Sequence, residues 1–180
     1  EVFQLEADFE RLEVPSVAYR GIFINDEDWG LNPWSSNNYE PKMRQRNGED
    51  STPRNGEIGP YTHERIFELL LRLRANIFWP AMHECTVPFY LIKGNREVAD
   101  KYGILISTSH CEPMMRNTNG EWRKAGLGDY NFVTNAKQVV HFWEERVKEL
   151  SGSDCLYTLG MRGVHDSAME GAKTIPEQVK

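Results

Sequence analysis

Cysteine is scarce in this chain of 180 residues: Cys85, Cys111 and Cys155 form an odd set with no Cys-x-x-Cys spacing. No redox or zinc-knuckle pattern is present; their expected role is packing, and they do not report a compartment. No apolar run approaches the roughly 18 residues that cross a bilayer. The opening Glu1-Val2-Phe3-Gln4-Leu5-Glu6 has neither the basic nor the apolar region of a signal peptide. An excess of positive charge is also missing. With 21 Lys and Arg against 27 Asp and Glu the net charge is −6, which argues against nucleic acid or an anionic membrane as the main partner. Long disordered stretches are absent too, because 39% hydrophobic and 27% charged residues are a globular composition, with chain enough for one core.

What is present is a repeated pattern. Ile22-Phe23-Ile24-Asn25 runs into Asp26-Glu27-Asp28-Trp29, and Ile77-Phe78-Trp79-Pro80-Ala81-Met82 into His83-Glu84. Ile104-Leu105-Ile106-Ser107-Thr108-Ser109 ends at His110-Cys111-Glu112, and Leu156-Tyr157-Thr158-Leu159-Gly160-Met161 at Arg162-Gly163-Val164-His165-Asp166. Polar chemistry at the carboxyl ends of short buried strands is the arrangement of an α/β enzyme.

Helical patterns separate these runs. Tyr61 to Ala75, with Thr62 as N-cap, places Ile66, Leu69, Leu70 and Leu73 on one face; Asn95 to Tyr102 is closed by Gly103. A longer helix opens at Thr134 or Asn135, buries Val139, Val140, Phe142, Trp143, Val147 and Leu150, and ends at Gly152. Residues 31–60 and 113–131 read as two long loops on the strand-end side. Thr174 and Glu177 have the spacing of a capping box three residues before the last one, so residues 1–180 are expected to be a partial domain. The expected fold is α/β: the first four β/α units of a (β/α)8 TIM-type barrel, with a complete doubly wound sheet as the alternative.

The strand-end residues have several readings. Asp26, Glu27 and Asp28 suit acid/base work or a hard cation, or equally a solvated turn. His110 and Glu112 share one side of an extended segment and either line a polar pocket or serve structure. In Arg162, His165 and Asp166, a guanidinium able to fork a carboxylate sits near an acid able to hold a proton; an ion pair bracing the rim is the plainer reading. His83, His110 and His165 with Glu112 or Asp166 match zinc or iron in ligand type but in no recognised spacing. Trp29, Trp34, Tyr39, Trp79 and Trp122 crowd the same edge; Trp34 and Trp122, in polar loops, are the candidate sugar platforms.

Four stretches carry a family likeness: residues 20–28 (RGIFINDED), 79–82 (WPAM), 108–116 (TSHCEPMMR) and 159–163 (LGMRG), the last continuing to Asp166. In that order they resemble glycoside hydrolase family 115, the xylan α-1,2-glucuronidases. The resemblance implies a (β/α)8 catalytic barrel in a larger protein, of which residues 1–180 are the N-terminal half. It further implies inverting removal of (4-O-methyl)glucuronic acid from glucuronoxylan or its oligosaccharides. Family members commonly carry a Gly-Asp-Gly-Asp-like run where this chain has Val164-His165-Asp166.

On that reading Asp166 is the acid, and Glu112 is the base unless the other half supplies it. Arg162 and Arg116 hold the uronate carboxylate, and Asp26, Glu27, His110, His165 and Trp34 line the sugar pocket. No cofactor, metal, nucleic acid or membrane is expected. The partner is the remaining half of the barrel, with homo-oligomerisation left open, and the location is extracytoplasmic. The isolated half is expected to be inactive and poorly soluble at its open sheet edges. The competing readings are a metal-dependent α/β-barrel hydrolase and a non-catalytic carbohydrate-binding fragment.

Overall fold

The computed structural model describes residues 4, 7–25, 27–160 and 162–179. Each of the four apolar runs contributes to a strand: β1 (Gly21–Phe23), β2 (Ile77–Trp79), β3 (Leu105–Ser107) and β4 (Cys155–Leu156), the last taking only Leu156 from its expected run. Every pairing is parallel, and the spatial order β1-β2-β3-β4 repeats the order in the chain. A doubly wound sheet reverses direction at a switch point, whereas this one winds one way only, as a barrel segment does.

Alternation along the strands sorts the two faces. Phe78 and Ile106, paired in register, point into the helical layer and are fully buried with Phe67, Leu70, Phe89, Ala99, Ile104, Met115 and Leu150. The opposite face carries Phe23 stacked on Trp79 at 4.2 Å, with Ile77, Leu105, Ser107 and Leu156, all half-buried. Gly21 is required at the β1–β2 seam, because a Cβ there would lie 1.8 Å from the carbonyl oxygen of Ile77.

The first expected loop is in fact largely helical. α1 (Leu31–Trp34), one wide turn over Ser35–Tyr39 and α2 (Glu40–Arg46) run on without a break. Pro33 sits in the first turn, where a missing N–H costs nothing, whereas Pro41 lies inside the run just after the wide turn and removes one donor from its ladder. Tertiary bonds supply what the Asn- and Ser-rich sequence does not. Ser35 Oγ donates to the Glu57 carbonyl at 2.9 Å, and Arg44 pairs with the Glu57 carboxylate at 2.5 Å.

α3 (Pro60–Arg72) is capped differently from expectation. Gly59 is its N-cap, and Glu40 reaches across from α2 to accept the Thr62 amide at 2.6 Å. α4 (Asn95–Tyr102) ends at Gly103 with φ of 63°, as expected. The second expected loop holds a turn at Pro113–Met115 and α5 (Gly120–Ala125). α6 (Phe132–Glu149) opens with a short turn whose amides at Val133 and Thr134 are accepted by Asn131 Oδ1 at 2.8 and 3.2 Å. A kink at Asn135 (φ −137°) separates that turn from the main helix, which opens where the pattern implied. Val139, Phe142 and Leu150 of its expected stripe are buried, whereas Val140 and Val147 remain partly exposed. Before α7 (Ile175–Val179), Glu177 accepts the Thr174 amide at 2.9 Å, the reciprocal half of a capping box. Among the described residues no helix is long and apolar enough to cross a membrane.

α6 is held to the loop after β3 by buried charge. Glu121 Oε1 accepts from Arg116 Nη1 at 2.5 Å and from Arg146 Nη2, while Oε2 accepts the Asn117 amide at 3.2 Å. Arg146 also donates to the Met115 carbonyl at 3.1 Å, and it lies over the Tyr90 ring. Removing Glu121 would leave two buried guanidiniums facing each other without their shared counter-charge. Glu121→Ala is therefore expected to cost about 3–5 kcal/mol, read as a lower midpoint in chemical denaturation. A loss within 1 kcal/mol, the range of surface pairs, would show that the network contributes little.

Candidate functional site

The loops after β1 and β2 are joined through a carboxylate. Glu27 is 1% exposed; its Oε1 accepts the His83 amide at 2.9 Å and the Thr86 hydroxyl at 3.0 Å. Its Oε2 is buried and has no hydrogen-bond donor. The neighbouring Asp28 places Oδ1 3.2 Å from His83 Nδ1 and 2.6 Å from the Cys85 thiol. The thiol's hydrogen bond, ahead of the one from His83, holds the Asp28 carboxyl below its usual range.

The loops after β3 and β4 meet in a second group. Asp166 sits between two imidazoles, with His110 Nε2 at 2.9 Å from Oδ1 and His165 Nδ1 at 3.1 Å from Oδ2. Arg162 Nη2 donates to the Asp166 carbonyl at 2.7 Å and lies 3.4 Å from Oδ1. Backbone and hydroxyl contacts tie the loops together: Met114 N to the Thr158 carbonyl at 3.1 Å, Thr158 Oγ1 to the Thr108 carbonyl at 2.5 Å, and His165 N to Thr118 Oγ1 at 3.2 Å. His83 and His165 bring the two groups side by side, their ring centroids 6.2 Å apart.

The carboxyls here fall into opposite protonation states. Hydrogen bonding from His110, reinforced by the charges of His165 and Arg162, holds Asp166 below the usual carboxylate range. It is ionised at neutral pH, which is the wrong state for the proton donor expected from the sequence. Glu112 lies buried beneath the rim and accepts from Asn117 Nδ2 at 3.0 Å. Burial, then the negative charges of Glu121 and Glu27, push it up to about 8. The group expected to be a base thus keeps its proton.

Two other expected residues lie elsewhere. Arg116 is turned into the Glu121 network, its Nε donating to the Phe142 carbonyl at 2.7 Å and its guanidinium lying over the Phe142 ring. It is therefore placed to brace α6 and not to hold a substrate carboxylate. Trp34 stacks on Tyr39 at 4.6 Å along the first helical run. Asp26 lies outside the described residues. Trp122 is a core residue, 4% exposed, donating to the Gly128 carbonyl at 2.7 Å. His63 is also core, hydrogen-bonded to the Gly59 carbonyl and facing Asn95 Oδ1, and burial lowers it to about 4. The residues not anticipated at the site are Asn117, which also donates to the Met82 carbonyl at 3.1 Å, and Thr86. Nothing in their local sequence distinguishes them from ordinary loop residues.

The profile of Glycosyl hydrolase family 115 matches residues 13–179. Among curated proteins none matches. A solved structure described as a novel family GH115 4-O-methyl-alpha-glucuronidase with specificity for decorated arabinogalactans is 61% identical in sequence and superposes with a TM-score of 0.87. The match covers 98% of this chain but only 22% of that one, so the chain spans about a fifth of the relative's length.

The protonation of Glu112 has a measurable consequence for stability. Its folded pKa is raised, so its contribution is fully present below the unfolded value of about 4.3. It is lost as pH rises towards the folded value of about 8, by up to about 1.4 kcal/mol per pH unit. Glu112→Gln keeps the acceptor for Asn117 and has no proton to lose. The Gln variant is expected to gain steadily on the wild type in urea midpoint between about pH 5 and 8. Parallel curves for the two proteins would refute the buried, protonated state.

Proposed function

The chain belongs to glycoside hydrolase family 115, and from that membership we propose that it forms the first four β/α units of a catalytic (β/α)8 barrel that removes glucuronic acid from plant polysaccharide. The observation that carries the reading is the convergence of Asp166, His110, His165 and Arg162 on one rim, above a Glu112 that holds its proton. Arg162 supplies a two-pronged guanidinium and His110 and His165 supply ring nitrogens, a set suited to a uronate carboxylate. The substrate bond is the α-1,2 link to (4-O-methyl)glucuronic acid, on xylan or on the decorated arabinogalactan named for the solved relative.

Inverting hydrolysis needs one carboxyl to protonate the leaving oxygen and a second, ionised one to activate water. Protonation states support Glu112 as the donor and Asp166 as the activating carboxylate, the reverse of the order suggested by sequence. The proton then passes from Glu112 to the departing sugar oxygen, and Asp166 takes one from the attacking water. A base contributed from beyond residue 180 is the second reading. The open inner face of the sheet, with Phe23, Trp79 and Leu156 half-buried, supports a fold continued by further chain.

The test is uronic acid release from glucuronoxylan and from glucuronidated arabinogalactan by the whole polypeptide containing these residues, with the first-formed anomer followed by NMR. Asp166→Asn is expected to lower kcat by about 10²–10⁴-fold. Glu112→Gln should lose polysaccharide turnover yet keep most activity on an aryl glucuronide whose leaving group needs no proton. Equal loss on both substrates would remove Glu112 from the donor role. Near-normal turnover by Asp166→Asn would remove Asp166 from the mechanism, and a retained anomer would refute inversion.

A further inference from the structure

We propose that Glu27, Asp28 and His83 form a binding site for a zinc-class divalent cation that staples the loop after β1 to the loop after β2. One ligand atom from each lies within 4.8 Å of the others. Proximity of acids alone would mean little, but the hydrogen-bond count shows an unmet demand. Glu27 Oε2 is buried without a donor, and it lies 3.4 Å from His83 Nδ1. That same nitrogen is 3.2 Å from Asp28 Oδ1. A single ring nitrogen carries at most one proton, so it cannot serve both carboxylates. A fully buried carboxylate oxygen with no partner is costly, and a cation in the gap satisfies all three lone pairs at once.

The spacing fits a particular cation class. Zinc–nitrogen and zinc–oxygen bonds of about 2.0–2.1 Å in a tetrahedron place neighbouring ligand atoms about 3.3 Å apart. The two edges meeting at His83 Nδ1 are 3.2 and 3.4 Å. An imidazole with two carboxylates selects zinc and its first-row neighbours over calcium or magnesium, which take oxygen ligands. Two carboxylates also neutralise a dication.

The donors around the site are arranged to orient its ligands. The other oxygen of Glu27 is fixed by the His83 amide and the Thr86 hydroxyl, so Oε2 is aimed at the gap. Asp28 Oδ1 accepts a hydrogen bond from the Cys85 thiol at 2.6 Å, a weak donor that a metal can displace. Three protein ligands leave a fourth position for water. The inference does not rest on the glucuronidase reading, and it departs from the absence of metal expected from the family resemblance.

Calorimetric titration of chelator-treated protein with ZnCl2 tests the site. One equivalent is expected to bind at micromolar or tighter concentration, with no heat from CaCl2 or MgCl2 under the same conditions. His83→Gln and Asp28→Asn should each weaken binding at least tenfold, the second being an exposed position whose change is safe for folding. His110→Asn should leave it unchanged, separating this site from the neighbouring His110, Cys111 and Asp166 group. Bound zinc should also raise the thermal midpoint of the wild type and not that of Asp28→Asn. No zinc binding by the wild type, or binding undiminished in Asp28→Asn, or binding lost in His110→Asn, would each overturn the proposal.

Discussion

One buried carboxylate, that of Glu121, sets the shape of the rim. Charge in a protein interior is tolerated only when it is paired and hydrogen-bonded on every side, and Glu121 achieves this with two guanidiniums and a backbone amide. Two of the partners are neighbours in the loop after β3, and the third reaches over from α6. Arg146 comes from α6, Arg116 from the turn after Pro113–Met115, and the amide from Asn117. The loop after β3 therefore cannot shift without uncovering a charge. Because that loop also carries Glu112 and Asn117, the position and protonation of the buried acid follow from the same constraint.

A similar device works at the other end of the rim. Glu27 binds the amide of His83 and the hydroxyl of Thr86, so two loops that leave separate strands share one carboxylate. Its charge and that of Glu121 both act on Glu112 and raise its proton affinity through a poorly solvated interior. Asp166, at the exposed mouth with three cationic or proton-donating partners, falls the opposite way. Two carboxyls with opposite protonation are what acid–base hydrolysis uses.

The winding of the sheet and the family membership agree. Strands that all run parallel place every carboxyl-end loop on one side, which is why His83, His110 and His165 assemble from sequence positions up to 82 residues apart. The helical layer covers Phe78 and Ile106 completely, while the opposite face stays half-buried. A sheet with one face finished and the other half-covered fits a chain spanning 22% of its solved relative.

The strands, α4 with its Gly103 terminus, and the capping box before α7 were all legible in the sequence, because each is set by local rules: apolar runs, a left-handed cap, a side chain three residues from its amide. The strand-end residues were legible as a group for the same reason. The helical run from Leu31 to Arg46 was hidden, since Ser35 and Arg44 find their partners at Glu57, beyond any local window. Arg116 and Trp122 look like binding residues in sequence and become braces in space, because burial is a property of neighbours and not of residue type. The protonation of Glu112 and Asp166 is the reverse of what their expected roles require, on the same ground. A carboxyl's proton affinity is decided by solvation and nearby charge, and only the assembled loops determine either.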